Sequence, residues 1–374
     1  MAKFGASNSE FTVSLAAKSR SDDPGVSHPS YGEGERMSIL SVRRSRRGLL
    51  GSAAAVSLSL TMMLGDALAQ DATLQPYEAP ENIADLSGTV VADGSSTVGP
   101  VTEALAEEFA GIAPRVQLEV SISGTGGGFE RFCNGETDLQ NASREIKPTE
   151  TEACAANGVE YYVFEVAYDG IAIVVNPEND FVDCLTVDQL KLMCQQESAA
   201  TSWNQIDPAF PDKPITLYGP GTSSGTFDYF TAEIVGEEGS SNTNYLPSED
   251  DNQLVEGVAG DTNALGYFGL AYYEQNADRL KLVAVDDGNG CVEPTSETVR
   301  DLTYSPLSRP LFVYVNSESL QRPEVQEFMA FYLATAGEIV ADVGYVASPA
   351  QVYANDQAKL NAAIGGTGTP DSAS

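Results

Sequence analysis

The chain reads as an α/β protein of two domains. Strand-like and helix-like segments alternate along it, its 374 residues exceed the usual single-domain size, and a 42% apolar content is enough for a substantial core. Three Gly/Ser/Thr stretches stand where an apolar run gives way to a helical pattern. They are Gly94-Ser95-Ser96-Thr97-Val98-Gly99-Pro100, Gly124-Thr125-Gly126-Gly127-Gly128 and Ser223-Ser224-Gly225-Thr226. Small residues let backbone N–H groups approach a ligand, hydroxyls add donors and a helix N-terminus adds partial positive charge, so each is a candidate oxyanion cradle. Three together point to a shared ligand.

Element by element, residues 90–92 form a strand that runs into the first stretch, 101–109 have helical spacing, and 116–122 alternate before the second stretch. Residues 161–166, 171–175 and 215–218 are β-branched and aromatic runs that predict three strands, and 226–235 predict a helix after the last of them. A turn-rich break at 305–310 leads to a strand at 311–315 and an apolar helix at 325–335, and the small polar residues 365–374 predict a frayed tail. No internal repeat of fixed period is present.

The start of the chain predicts export. Residues 1–36 are polar, Ser- and Gly-rich and aperiodic, and Met37 opens a basic segment (Arg43, Arg44, Arg46, Arg47), an apolar run at 49–64 and Ala67-Leu68-Ala69 before Gln70. This is a signal peptide expected to be cleaved after Ala69, with Met37 a candidate true start and 1–36 a candidate extension. Ser45-Arg46-Arg47-Gly48-Leu49-Leu50 is similar to a twin-arginine signal, the alternative being an ordinary secretory signal. Gln70 is not a cysteine, so lipid attachment there is unsupported. No apolar span of 18 residues occurs outside the signal, so a soluble exported protein is expected.

The formal charge of −34 argues against nucleic acid, which needs clustered Lys and Arg. Residues 1–69 hold 8 of the 20 basic and 6 of the 54 acidic residues, which leaves 12 against 48, or −36, for the remainder. Any bound anion is therefore held locally, against the global field. All five cysteines follow the signal, and an oxidising compartment favours disulfides. Sequence does not fix the connectivity; Cys133 and Cys154 flank one supersecondary unit and are expected to pair, and Cys184 with Cys291 is the expected second bridge, which would leave Cys194 as a buried free thiol.

The only histidine, His28, precedes the signal, which removes Ser-His-Asp triads, Cys-His pairs and histidine metal sites. Asp286-Asp287-Gly288-Asn289-Gly290 is a carboxylate Ca²⁺ candidate, with a surface turn as the plainer reading. Taken singly, the Gly/Ser/Thr stretches are also compatible with ordinary turns and helix starts. No metal site and no cofactor are expected.

With Asp138-Leu139-Gln140-Asn141-Ala142-Ser143-Arg144 as a fourth motif, and Gly219-Pro220-Gly221-Thr222-Ser223-Ser224-Gly225-Thr226-Phe227-Asp228-Tyr229-Phe230 extending the third, the chain resembles the periplasmic phosphate-binding proteins that serve phosphate ABC importers. The resemblance implies a type II periplasmic-binding-protein fold: two lobes, each a mixed sheet flanked by helices, joined by two crossover segments near 166–169 and 306–310. The implied organisation is a linker at 70–85, lobe I at 86–166 plus 309–364, lobe II at 167–308 and a disordered tail at 365–374. It also implies a monomer that is not an enzyme, that captures inorganic phosphate and that delivers it to a membrane permease.

Carried over motif by motif, the phosphate contacts fall on Ser96, Thr97, Val98, Thr125, Ser143, Ser224, Gly225 and Thr226. Two departures stand out. The best-known members have an aspartate, which accepts the proton of hydrogen phosphate, where this chain has Ser143-Arg144, and an arginine where it has Gly219-Pro220-Gly221. Arg144 is the expected replacement for that arginine, and Asp169 and Asp228 are the candidate proton acceptors. A receptor for sulfate or another tetrahedral oxyanion, an exported phosphatase and a surface-interaction protein are the alternatives.

Overall fold

The computed structural model describes residues 73–373 except Ser198. The extension, the twin-arginine segment and the cleavage point read from the sequence lie outside the described residues. In chain order come β1 (Ser87–Gly94), α1 (Gly99–Ile112), β2 (Arg115–Val120), α2 (Gly124–Cys133), β3 (Leu139–Ala142), α3 (Pro148–Ala156) and β4 (Tyr161–Val175). Next are β5 (Cys184–Thr186), α4 (Val187–Cys194), β6 (Thr216–Pro220), α5 (Gly225–Phe230), β7 (Tyr245–Ser248), α6 (Asp251–Gly260) and β8 (Ala264–Gly269). The remainder is α7 (Leu270–Gln275), β9 (Lys281–Asp286), β10 (Cys291–Val292), α8 (Ser296–Arg300), β11 (Ser308–Asn316), α9 (Pro323–Asp342) and α10 (Ala350–Ile364).

This is a mixed α/β fold. Strands β2, β1 and β3 are parallel, and β11 runs antiparallel between β3 and the first part of β4. The second part of β4 lies antiparallel between β8 and β9; β6 is parallel to both β8 and β7. The parallel pairs are joined by helical crossovers, as the alternating sequence requires.

Among the described residues, two large apolar cores and a smaller cluster around Phe129, Phe132 and Tyr314 are built on these strands. One gathers Phe109, Phe164, Phe328 and Tyr332; the other gathers Ile173, Trp203, Phe230 and Phe268. Val166 and Ala167 belong to the first core and Ile171 to the second, while Leu307 belongs to the second and Leu311 to the first. Strand β4, and the chain entering β11 beside it, therefore both pass from one core to the other.

The sequence runs at 161–166 and 171–175, read as two strands, are one strand of 15 residues. Asp169 and Gly170 look like a break, but Asp169 pairs in register with Arg309 of β11, so the acid in mid-strand has its counter-charge directly opposite. The helix read at 226–235 stops at Phe230 and continues as a π-helical turn, Thr231–Val235.

The segments read as linker and disordered tail are docked. Gln75 exchanges two hydrogen bonds with Gln357 of α10, and the Tyr77 hydroxyl donates to Glu327 of α9. The tail has a physical reason to be ordered: among the described residues, the first part of β4 has no strand on the side away from β11, and its N–H groups need acceptors. The Tyr161 N–H donates to Ser372, Val163 to Asp371 and Glu165 to Asp356 of α10, while Lys359 Nζ donates to the Val163 carbonyl.

Disulfides join Cys133 at the end of α2 to Cys154 of α3, and Cys184 of β5 to Cys291 of β10, while Cys194 is a buried free thiol. Asp286-Asp287-Gly288-Asn289-Gly290 is the turn between β9 and β10. Asp286 accepts from the Gly288 and Gly290 N–H groups and Asp287 from Asn289, which spends these oxygens locally. No helix among the described residues is long and apolar enough to cross a membrane.

Candidate functional site

A cleft of about 930 Å³ opens where the two cores meet. Its walls come from the loop before α1 (Ser95–Thr97), the start of α2 (Ser123–Gly127), Ser143 and Arg144 after β3, Gly225 and Asp228 of α5, and Arg309 of β11. Of the residues chosen from sequence, Ser96, Thr97, Thr125, Ser143, Arg144, Gly225 and Asp228 line it. Val98 is buried beneath the loop. Ser224 and Thr226 face a separate cleft of about 200 Å³, whose walls include Glu249, Asp251 and Tyr345. Asp169 is fully buried behind Arg309.

Local chemistry shapes each stretch. Ser95 N–H donates to the Asn141 carbonyl at 2.9 Å, and Ser95 Oγ accepts from the N–H groups of Thr97 (3.1 Å) and Val98 (3.4 Å), which folds the loop into a tight turn ahead of Pro100. The start of α2 lies hard against that turn: a Cβ on Gly128 would stand 2.5 Å from the Gly94 Cα, so only glycine permits the approach. Ser123 gives α2 no side-chain cap, which leaves first-turn N–H groups at the cleft wall without an intrahelical acceptor. Thr125 Oγ1 lies 3.0 Å from Ser143 Oγ and accepts the Ser143 N–H at 3.3 Å, locking the second and fourth motifs together.

The two sides of the cleft touch at Ser96 and Thr97. Ser96 Oγ donates to Asp228 Oδ2 at 3.2 Å, and the Gly225 backbone abuts Thr97 so closely that a Cβ there would sit 2.4 Å from Thr97 Oγ1 and 2.7 Å from its N. Ser224 caps α5 by accepting from the Thr226 N–H at 3.2 Å. Its hydroxyl accepts this bond as an N-cap and keeps its own proton to give.

Charge in the cleft is mixed. Arg144 gives two hydrogen bonds to Glu150, at 2.8 and 2.9 Å, and a third to the Glu145 carbonyl, and its guanidinium lies over the Phe129 ring. Burial works against ionisation of Glu150, but Arg144 and the Lys147 N–H outweigh it and hold the carboxyl below its ordinary value. Asp228 is shifted up, by burial first and then by Glu238, against the pull of Ser96 and Arg309. Asp169 is also shifted up by burial, with Arg309 opposing.

Arg309 escaped the sequence reading. It sits beside Pro310 in a stretch that reads as a turn, and the available signal was its charge, one of 12 cations after residue 69. Its Nε and Nη2 donate to Asp169 Oδ2 at 3.1 and 3.0 Å, Nη2 also donates to Thr97 Oγ1 at 2.9 Å, and the guanidinium carbon lies 3.6 Å from the centre of the Tyr229 ring. Tyr229, likewise missed, lines the cleft and anchors its hydroxyl on the Pro306 carbonyl.

Most of the chain is similar to known proteins. The family model described as "PBP superfamily domain" matches residues 79–335. Protein SphX of Synechocystis sp. is 48% identical over 270 residues, 71% of this chain and 80% of its own length. The phosphate-binding protein PstS of Staphylococcus saprophyticus is 42% identical over 280 residues, covering 74% and 86%. Among solved structures, a possible phosphate binding protein from Planctomyces limnophilus superposes with a TM-score of 0.71 at 45% identity, covering 75% of this chain and 99% of that one. An ABC-type phosphate transport receptor from Vibrio cholerae gives 0.54 at 26% identity, covering 69% and 99%. With most of its length matched in sequence and in structure, the chain belongs to the PBP superfamily, in the family that includes SphX and the phosphate-binding proteins PstS.

Proposed function

We propose that the protein is the exported receptor of a phosphate ABC importer, which closes two lobes on inorganic phosphate and delivers it to the membrane permease. The lobes are residues 86–166 with 309–364, and 167–308; the receptor works as a periplasmic monomer and carries out no catalysis. The observation that carries the reading is the convergence of Thr97, the uncapped start of α2, Ser143 and Gly225 on one cleft that also holds Arg144 and Arg309. Fixed N–H and hydroxyl dipoles with a nearby guanidinium suit an oxyanion taken from water.

The energetics are sufficient. A micromolar site needs about 8 kcal/mol, and hydrogen bonds to a charged group are each worth roughly 1.5–3 kcal/mol net, so a handful of them covers the cost of closure and desolvation. Thr97 Oγ1 accepts from Arg309 and keeps its own proton to give; Thr125 and Ser143 share one hydrogen bond and so retain one proton between them.

Selectivity turns on Asp228. It reaches the cleft and touches Ser96 of the first anion stretch, whereas Asp169 is sealed behind Arg309, so Asp228 is the acceptor for the proton of hydrogen phosphate. A sulfate receptor is the second reading, favoured by the arginine that replaces the usual acid at 144. Calorimetric titration of ligand-free protein with phosphate and with sulfate at several pH values separates them. Preference for phosphate supports the first reading, and equal or tighter sulfate binding supports the second.

A further inference from the structure

We infer that Arg309 supplies the guanidinium that neutralises the bound oxyanion, and that Asp169 is the positioning residue that aims it. This rests on the phosphate reading above. Arg309 is 18% exposed at the cleft wall while Asp169 is fully buried, so the ion pair is oriented with its positive end toward the ligand. Its Nε and Nη2 are committed to Asp169 and Thr97, and its Nη1 has no hydrogen bond to any described residue. Arg144 differs, because both its Nη groups are already held by Glu150 and Glu145.

Position strengthens the assignment. Arg309 stands on β11 where the chain passes between the cores, paired in register with Asp169 on β4, and it touches Thr97 on one side of the cleft and Tyr229 on the other. The guanidinium is therefore fixed by three elements before any ligand arrives, which lowers the ordering cost of binding. Asp169 Oδ1 has no hydrogen-bond partner among the described residues, where compensation of this buried carboxylate comes from Arg309.

That dependence dictates the test. Arg309→Gln alone strands a buried charge, so the informative variants are the pair Asp169→Asn/Arg309→Gln, which removes both charges, and Arg309→Lys, which keeps charge without the planar fork. Phosphate and sulfate are titrated calorimetrically into each variant and into wild type, with circular dichroism as the check on folding. The expected result is a loss of about tenfold or more for both anions in the paired variant, and a smaller loss for both in Arg309→Lys. Wild-type affinity in a folded paired variant overturns the inference and leaves the phosphate reading standing. If the paired variant does not fold, Arg309→Lys decides, and unchanged affinity there overturns the inference. A wild-type protein that binds neither anion overturns the reading and the inference together.

Discussion

Replacing Gly225 by alanine probes how the cleft closes. Gly225 is the first residue of α5, on the side of the second core, and it meets the Thr97 loop from the side of the first. The added methyl would lie 2.4 Å from Thr97 Oγ1, 2.7 Å from its N and 2.8 Å from its Cα. Two of these atoms are backbone, so the contact is relieved by holding the two sides apart rather than by turning a side chain. Overpacking of this kind costs about 1–3 kcal/mol, and since binding draws on the closed arrangement, phosphate affinity falls by about 5- to 150-fold. The clash falls on the contact between the two sides and not inside either core, so the substitution weakens binding without weakening the fold of either core. Calorimetry reports the affinity and thermal melting of the ligand-free protein reports the fold. Unchanged affinity in a normally melting variant would refute the claim that this contact belongs to the bound state.

Three other perturbations have defined outcomes. Asp228→Asn should narrow the preference for phosphate over sulfate, because the amide no longer accepts the hydrogen phosphate proton; an unchanged ratio of the two affinities sinks the assignment. Asp356 is pushed up to about 7, mainly by burial, with Lys359 and the Glu165 N–H opposing and the Glu165 and Asp371 carboxylates adding to the rise. Its folded value lies above its unfolded one, so the stability it confers is complete below about pH 4 and is lost as pH rises through about 7. Asp356→Asn keeps an acceptor for the Glu165 N–H, and its gain in melting temperature over wild type should widen from pH 5 to pH 8; a gap independent of pH contradicts the sign. Deleting residues 368–374 removes the acceptors for the Tyr161 and Val163 N–H groups. A stability loss of about 1–3 kcal/mol is expected, together with concentration-dependent association through the bared edge of β4, and sedimentation that stays monomeric would argue that the tail is not an edge cover.

What was legible in the sequence was local chemistry. The apolar run of β1 into Gly94, the alternation of β2 and the helical spacing of α1 and α9 announce themselves because their neighbours in sequence carry the pattern. The motifs at 94–100, 124–128 and 138–144 could be recognised for the same reason. Features that depend on a distant partner were not legible. Asp169 looked like a candidate proton acceptor because its counter-ion is 140 residues away, and Arg309 looked like part of a turn because its purpose lies with Asp169, Thr97 and Tyr229. The small polar residues after Gly365 suggested fraying, yet those same polar atoms are what an unpaired strand edge requires. Ser224 shows the converse: a residue with the right motif that also caps its own helix and faces the smaller cleft.

The account rests on a cleft built to take one oxyanion, and the most direct test is a calorimetric titration of phosphate into protein unfolded, stripped of ligand and refolded, with sulfate as the competing anion. Saturable one-to-one binding of phosphate at micromolar affinity or tighter, with sulfate weaker at neutral pH, is the predicted result. A flat phosphate titration from protein that has regained its native circular dichroism would contradict it.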